Sequence, residues 1–267
     1  MQHTYLEKIR QTNPLIHNIT NIVVANYVAN GLLALGASPI MADAEQEMEE
    51  LAQFTSALVL NIGTLDAMKV KSMLLAGKAA NHQGIPVILD PVGVGATGYR
   101  KQVVAELLQH IQFTTIRGNA GEIAQLAGIA WQAKGVDAGS GEGDLALIAT
   151  TAAQRYQCVV AVSGEVDYIS DGVQLAKIAN GTAMFPKITG SGCLLGAVLG
   201  AFLAVDQQNP FQAVTQACTA YAIAGEIAAK TLQPNQYGQF YLGLLDSLAQ
   251  IDDQQVTKYA KVEVIGG

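Results

Sequence analysis

Residues 86–98 read Pro86-Val-Ile-Leu-Asp90-Pro91-Val-Gly93-Val-Gly95-Ala-Thr-Gly98. An apolar run without polar alternation is how a strand buried on both faces reads. This run ends in Asp90, passes through a glycine-rich turn and gives way to a helical pattern over Tyr99–Ile111. A second run of the same kind, Val159-Val-Ala-Val162, marks a strand at Cys158–Ser163. Upstream, Ser38–Ala42 and Ala57–Ile62 predict strands, and Ala44–Phe54 and Asp66–His82 predict helices. Downstream, Phe113–Arg117 predicts a strand, Ala120–Gly128 a helix, Trp131–Gly143 a loop and Gly143–Tyr156 a helix. Tyr168–Ser170 and Val173–Ile178 flank Asp171-Gly172, a hairpin signal. Beyond Gly192 helices dominate: to Val205, over Pro210–Lys230 and over Gly238–Ile251. Strand–helix alternation predicts an α/β fold with a mostly parallel central sheet and helices on both faces. No linker or repeat divides the chain, so residues 1–267 are expected to form a single domain. Right-handed crossovers place the C-terminal ends of parallel strands along one edge, where ligands bind.

Composition narrows the classes. Apolar residues make up 50% of the 267 and charged residues 14%, against about 25% charged in a typical soluble domain. Disorder needs the opposite balance. A net charge of −7 without a basic block argues against nucleic acid as a partner. The most apolar stretch, Ile188–Val205, holds Thr189, Ser191 and four glycines and lacks flanking basic clusters, which speaks against a membrane span. An oligomer, with apolar faces covered by its own copies, fits the mean hydropathy of +0.27 better. Cys158, Cys193 and Cys218 are widely spaced and form no C-x-x-C, as expected of reduced thiols. The polar Met1–Arg10 stretch carries no signal-peptide pattern, so a cytoplasmic location is expected.

Four features could carry chemistry. Gly93-Val-Gly95-Ala-Thr-Gly98 matches G-x-G-x-x-G. A dinucleotide fingerprint also needs a helix starting inside the glycines and an acid about 20 residues on; Asp90-Pro91-Val92 intervenes here, and residue 118 is glycine. A flexible loop, or a loop near phosphates, stays open as the reading. Thr189-Gly190-Ser191-Gly192-Cys193 opens an apolar helix, whose free N–H groups and dipole suit an anion. Close packing through small residues explains the same glycines. The dipole favours a Cys193 thiolate, a nearby polyphosphate opposes it, and the sign stays open. Arg117-Gly-Asn119-Ala-Gly-Glu122 brings a cation, an amide and a carboxylate to the ligand edge, as nucleotide phosphates and a hydrated Mg²⁺ would require. An Asn119 cap closed by Glu122 is the plain alternative, compatible with the first. Asp90 ends an apolar strand, where a carboxylate is costly unless solvated or paired. Together these point to phosphoryl transfer. The four histidines (3, 17, 82 and 110) are scattered and suggest no metal cluster.

These residues, with Asn13-Pro-Leu-Ile-His-Asn-Ile-Thr-Asn21, Gly36-Ala-Ser-Pro-Ile-Met41, Asn61-Ile-Gly-Thr64 and Ser163-Gly164, resemble the hydroxyethylthiazole kinase family of the ribokinase-like superfamily. The landmarks cover about residues 13–205 in the family's order. The resemblance implies ATP- and Mg²⁺-dependent phosphorylation of the primary alcohol of 4-methyl-5-(2-hydroxyethyl)thiazole, for thiamine biosynthesis and salvage. It implies substrate contacts at Met41, Gly190 and Asn21, and ATP contacts at Arg117, Ser163, Asn119 and Gly192. Asp90 and Glu122 would organise Mg²⁺, through water. Cys193 stands where most ribokinase-like kinases carry an aspartate base. The family is trimeric, with the thiazole site between subunits. Serines at 163 and 191 stand where threonine is frequent, a conservative change. Three rivals share parts of the pattern: a pyrimidine or pyridoxine kinase and a lyase repairing hydrated nicotinamide cofactors, both usually with aspartate at the cysteine's place, and a non-catalytic binding protein.

Overall fold

A computed structural model describes residues 4–131 and 144–266. The expected loop Trp131–Gly143 lies outside them, apart from Trp131. The strands are β1 (Leu15–Ile19), β2 (Ser38–Ile40), β3 (Ala57–Asn61), β4 (Val87–Asp90), β5 (Thr115–Asn119), β6 (Val159–Ser163), β7 (Asp167–Ser170), β8 (Leu175–Ile178) and β9 (Val262–Ile265). They form one sheet in the order β2-β1-β3-β4-β5-β6-β7-β8-β9. Pairing is parallel from β2 through β6 and antiparallel from β6 to β9.

Side chains alternate between the faces of a strand, and both faces are buried. Val59, Ile88, Val159 and Ala161 point to one side, under α1 (Tyr5–Thr12), α2 (Ala25–Leu35), α8 (Ser191–Val205), α9 (Pro210–Ala229) and α10 (Tyr237–Gln250). Leu58, Leu60, Val87, Leu89, Val160 and Val162 point to the other. They lie under α3 (Met48–Leu51), α4 (Ala67–Gln83), α5 (Gly98–His110), α6 (Ala120–Ala127) and α7 (Leu145–Tyr156). The α/β architecture with helices on both faces is as expected.

The apolar stretch Ile188–Val205 becomes α8, which lies on the sheet through Gly196 and Gly200. A Cβ on Gly200 would sit 3.1 Å from Ile16 and 3.2 Å from Val59. The glycines at 192, 196 and 200 recur every four residues and so share one helix face. Close packing is therefore real, and its partner is the sheet. Among the described residues, no helix is long and apolar enough to cross a membrane. All three cysteines are free thiols.

Several boundaries differ from expectation. The helix expected over Ala44–Phe54 shrinks to a 3₁₀ turn at Glu45–Glu47 and the single turn of α3. Glu45 and Glu49, four apart, repel along a helix face, and within this turn only Met48 and Leu51 are buried. The strand expected over Val173–Ile178 starts at Leu175, because the Asp171 carboxylate accepts from Val173 N and Gln174 N and holds a turn. The strand expected at Phe113–Arg117 runs instead from Thr115 to Asn119, paired with β6 from Val159 to Ser163. Arg117 therefore sits within the strand. The elements α1, β1, α2, α11 (Asp253–Tyr259) and β9 were not expected.

Candidate active site

Parallel register builds the site. Asn61 ends β3 directly beside Asp90, the end of β4. Leu89 pairs with Ile116, which puts Asp90 next to Arg117 on β5. Each of the three is one residue past a side chain on the far face (Leu60, Leu89, Ile116). Alternation therefore turns all three toward α8. Its glycines leave the room: a Cβ on Gly196 would lie 3.7 Å from Asp90 Oδ2, and one on Gly192 only 2.5 Å from Arg117 Nη1.

Asp90 is fully buried. Its Oδ2 accepts from Asn61 Nδ2 at 2.7 Å and lies 3.8 Å from Arg117 Nη1, while Oδ1 has no protein partner. Burial raises its carboxyl well above the usual carboxylate range, against the pull of the Arg117 guanidinium. Arg117 also donates to Ser163 Oγ from Nε (3.2 Å) and Nη2 (3.0 Å). Asn61 Oδ1 accepts from Asn21 Nδ2 at 3.0 Å and from Gly63 N at 2.9 Å. Asn21 Nδ2 also reaches Cys193 Sγ at 3.4 Å. A polar chain thus runs from Cys193 through Asn21 and Asn61 to Asp90.

Cys193 occupies the first turn of α8. Burial first, and Asp90 second, push its thiol up to about 11. Hydrogen bonds from Asn61 and Asn21 and the charge of Arg117 pull the other way. Gly190 precedes it at φ +90°, where a Cβ would strike Val24 at 2.6 Å; only glycine fits there. No side chain caps α8. The Ser191 hydroxyl is used internally, donating to Phe185 O.

Asn119 and Glu122 form the capping box of α6. Asn119 Oδ1 accepts from Glu122 N at 2.9 Å, and Glu122 Oε2 from Asn119 N at 2.8 Å. The other oxygen, Oε1, accepts from Gly93 N at 2.8 Å. Gly93 (φ +65°) therefore gives its N–H to a carboxylate. Helix α5 starts at Gly98 with Thr97 as its cap, beyond most of the glycine motif, which removes the dinucleotide reading.

The structure thus brings Asn21, Asp90, Arg117, Ser163, Gly190, Gly192 and Cys193 around the start of α8, with Asn119 and Glu122 joined through Gly93. Met41 stands apart, 36% exposed, on the segment after the edge strand β2. Asn61 is a further residue of the site, beyond those the resemblance implies. Its signal was the one that picked Asp90: a polar residue ending a fully apolar strand.

Solved structures share the fold. A ribokinase-like superfamily protein from Enterococcus faecalis superposes with a TM-score of 0.60 at 12% identity, over 89% of this chain and 88% of its own. The fold is the one that protein has. The chain belongs to the hydroxyethylthiazole kinase family, whose model matches residues 6–254. A hydroxyethylthiazole kinase of Histophilus somni (strain 129Pt) is 60% identical over 98% of this chain and 99% of its own. The hydroxyethylthiazole kinase protein of Pyrococcus horikoshii OT3 is 40% identical, with a TM-score of 0.88 over 98% of this chain and 97% of that one.

Proposed function

We propose that this chain, acting as one domain, transfers the terminal phosphoryl group of ATP to the primary alcohol of 4-methyl-5-(2-hydroxyethyl)thiazole. The product would be the thiazole phosphate used in thiamine biosynthesis and salvage. The observation that carries this reading is the row Asn61–Asp90–Arg117 facing the uncapped start of α8, in a chain of this family. Phosphoryl transfer passes through a loose transition state and rests on positioning and charge neutralisation. Arg117, held by Ser163, would take ATP phosphate oxygens, with Asn119 and Gly192 alongside. The N–H groups of the Gly190–Cys193 turn would receive the transferring group. Asn21 and Gly190 would face the alcohol, with Cys193 Sγ beside it.

The residues fit a magnesium ion bound mostly by water and phosphate. Asp90 Oδ1 is buried without a protein partner. Magnesium keeps several waters and is held through one or two carboxylates plus substrate phosphates. Asp90 would hold it, and Glu122, whose two oxygens already accept backbone bonds, would act through water. When bound, magnesium neutralises charge on the phosphoryl oxygens.

A homotrimer with the thiazole between subunits is supported by exposed apolar side chains at Ile22 and Val23 in the loop after β1, at Met41 just after β2 and at Met68 in the first turn of α4. Met41, remote from the row within its own chain, would then contact the thiazole there, where a polarisable thioether suits a heteroaromatic ring. A cytoplasmic location belongs to the same reading.

The test is ADP release by purified protein with ATP, Mg²⁺ and the thiazole alcohol, against controls lacking the alcohol. Alcohol-dependent turnover is expected. Nucleotide binding without turnover would shift the reading to another alcohol or to a binding protein. Gly192→Ala gives a finer check. Its methyl group must displace the Arg117 guanidinium, which is the end of a flexible side chain, so the fold should survive. Losing charge-assisted bonds to phosphate should raise the KM for ATP about tenfold. An unchanged KM would free Arg117 from the nucleotide.

A further inference from the structure

We propose that Arg100 is a positioning residue for phosphoryl transfer, fastening the loops after β3 and β4 in one orientation. The inference rests on the reaction proposed above. Arg100 is half-buried in the first turn of α5, where Thr97 Oγ1 accepts from its backbone N–H. Its guanidinium donates from Nη1 to Ile62 O (2.6 Å) and Val92 O (2.7 Å), and from Nη2 to Gly63 O (2.8 Å). Among the described residues no carboxylate lies in ion-pair range of it. A planar fork reaches several acceptors at fixed angles, which an ammonium cannot do.

The acceptors matter. Ile62 O belongs to the same peptide unit as Gly63 N, and that N–H is held by Asn61 Oδ1 at 2.9 Å. Val92 O belongs to the same unit as Gly93 N, and that N–H is held by Glu122 Oε1 at 2.8 Å. One nitrogen, Nη1, therefore grips the oxygen ends of two peptide units. The N–H ends of those units are gripped by Asn61 and by Glu122. A planar peptide held at both ends cannot rotate. Arg100 thus joins the Asn61 side of the site, which holds Asp90 and Asn21, to the Glu122 side. It touches no reacting atom; it sets where Asn61 and Asp90 stand.

The test compares wild-type protein with Arg100→Ala and Arg100→Lys by steady-state kinetics and by hydrogen exchange in peptides covering residues 61–66 and 90–97. In the alanine variant kcat should fall about tenfold, with the KM for the alcohol within about threefold, because orientation is lost and binding is not. Exchange should speed up about tenfold in those two peptides, with other peptides unchanged. Arg100→Lys keeps the charge and loses the fork, so it should behave like the alanine variant. Added ethylguanidinium should restore part of the kcat of Arg100→Ala. A folded alanine variant with wild-type kcat, or a lysine variant with wild-type kcat, overturns the proposal. So does a kcat that falls only in step with the folded fraction. A wild-type protein without alcohol-dependent turnover would instead overturn the underlying reaction, and the exchange data would still decide the clamp.

Discussion

Replacing Asp90 by asparagine should lower kcat about 10³-fold while leaving the protein as stable as before. The amide oxygen of Asn can still accept from Asn61 Nδ2, so the hydrogen bond survives and the charge goes. Charge placed where charge develops in the transition state is the largest lever a dry site has; one such contact is worth about 10²–10³ in rate, and the metal-holding role proposed for Asp90 would put it at the upper end. Stability follows a different sign. Burial raises the folded-state pKa of Asp90, so the folded chain holds this proton more tightly than the unfolded one. The ionised group therefore costs stability above its folded pKa, a cost absent below the unfolded value of about 3.9. A neutral amide removes that cost. Arg117 loses one partner but keeps Ser163, with Glu122 and Asp167 close enough to favour its charge. Kinetics and a melting curve check both halves. Unchanged kcat would remove Asp90 from the reaction, and a midpoint more than about 5 °C lower would show that Arg117 depends on it.

Cys193→Ala should cost no more than the usual ~10²–10⁴ of general acid–base catalysis, and we expect about 10². At neutral pH the residue is a thiol, raised to about 11 by burial and by Asp90. A protonated sulfur accepts no proton, and a dissociative transition state asks little of a base. Its value lies in the contact with Asn21 and in its place at the start of α8. Cys193→Asp places a carboxyl at the same point, as in most ribokinase-like kinases, and should keep activity. A loss far above 10⁴ in the alanine variant would show that sulfur chemistry dominates. An inactive but folded aspartate variant would show that the position does not handle the proton.

The contrast between strands explains how far the sequence could be read. Strands β3, β4 and β6 are buried on both faces and read as unbroken apolar runs. Strand β1, just as central, reads Leu15-Ile-His-Asn-Ile19, because His17 and Asn18 interrupt it. Both are buried, and both meet backbone carbonyls: His17 Nε2 lies 2.8 Å from Ala42 O, and Asn18 Nδ2 donates to Ile16 O. No local pattern announces a partner 25 residues away. Helix α2 starts after Val24 without a side-chain cap and so carries no start signal, whereas Thr4 and Glu7 have capping-box spacing ahead of α1 although Thr4 makes no cap bond. Strand β9 is a short edge strand of intermediate and exposed residues. In the site, Asp90 was legible because a carboxylate ending an apolar run is conspicuous. Asn61 has the same placement, but an amide is less costly to bury and drew less notice. The plain reading of Glu122 as a helix cap was correct, and the capping bond leaves its outer oxygen to hold Gly93. Arg100 was silent, since its targets are main-chain carbonyls and main-chain atoms leave no mark in a sequence.

The glycines at 192, 196 and 200 also bear on how this molecule holds together. Gly196 and Gly200, inside the helix, each cost about 0.8–1 kcal/mol relative to alanine. A helix of this length is already marginal when isolated in water. Helix α8 therefore owes its form to the sheet beneath it. The turn at residues 190–193 takes its shape together with the strands carrying Asn61, Asp90 and Arg117, against which α8 packs. The start of α8 and the strand ends it faces thus stand or fall together, since loosening the sheet also frees the turn.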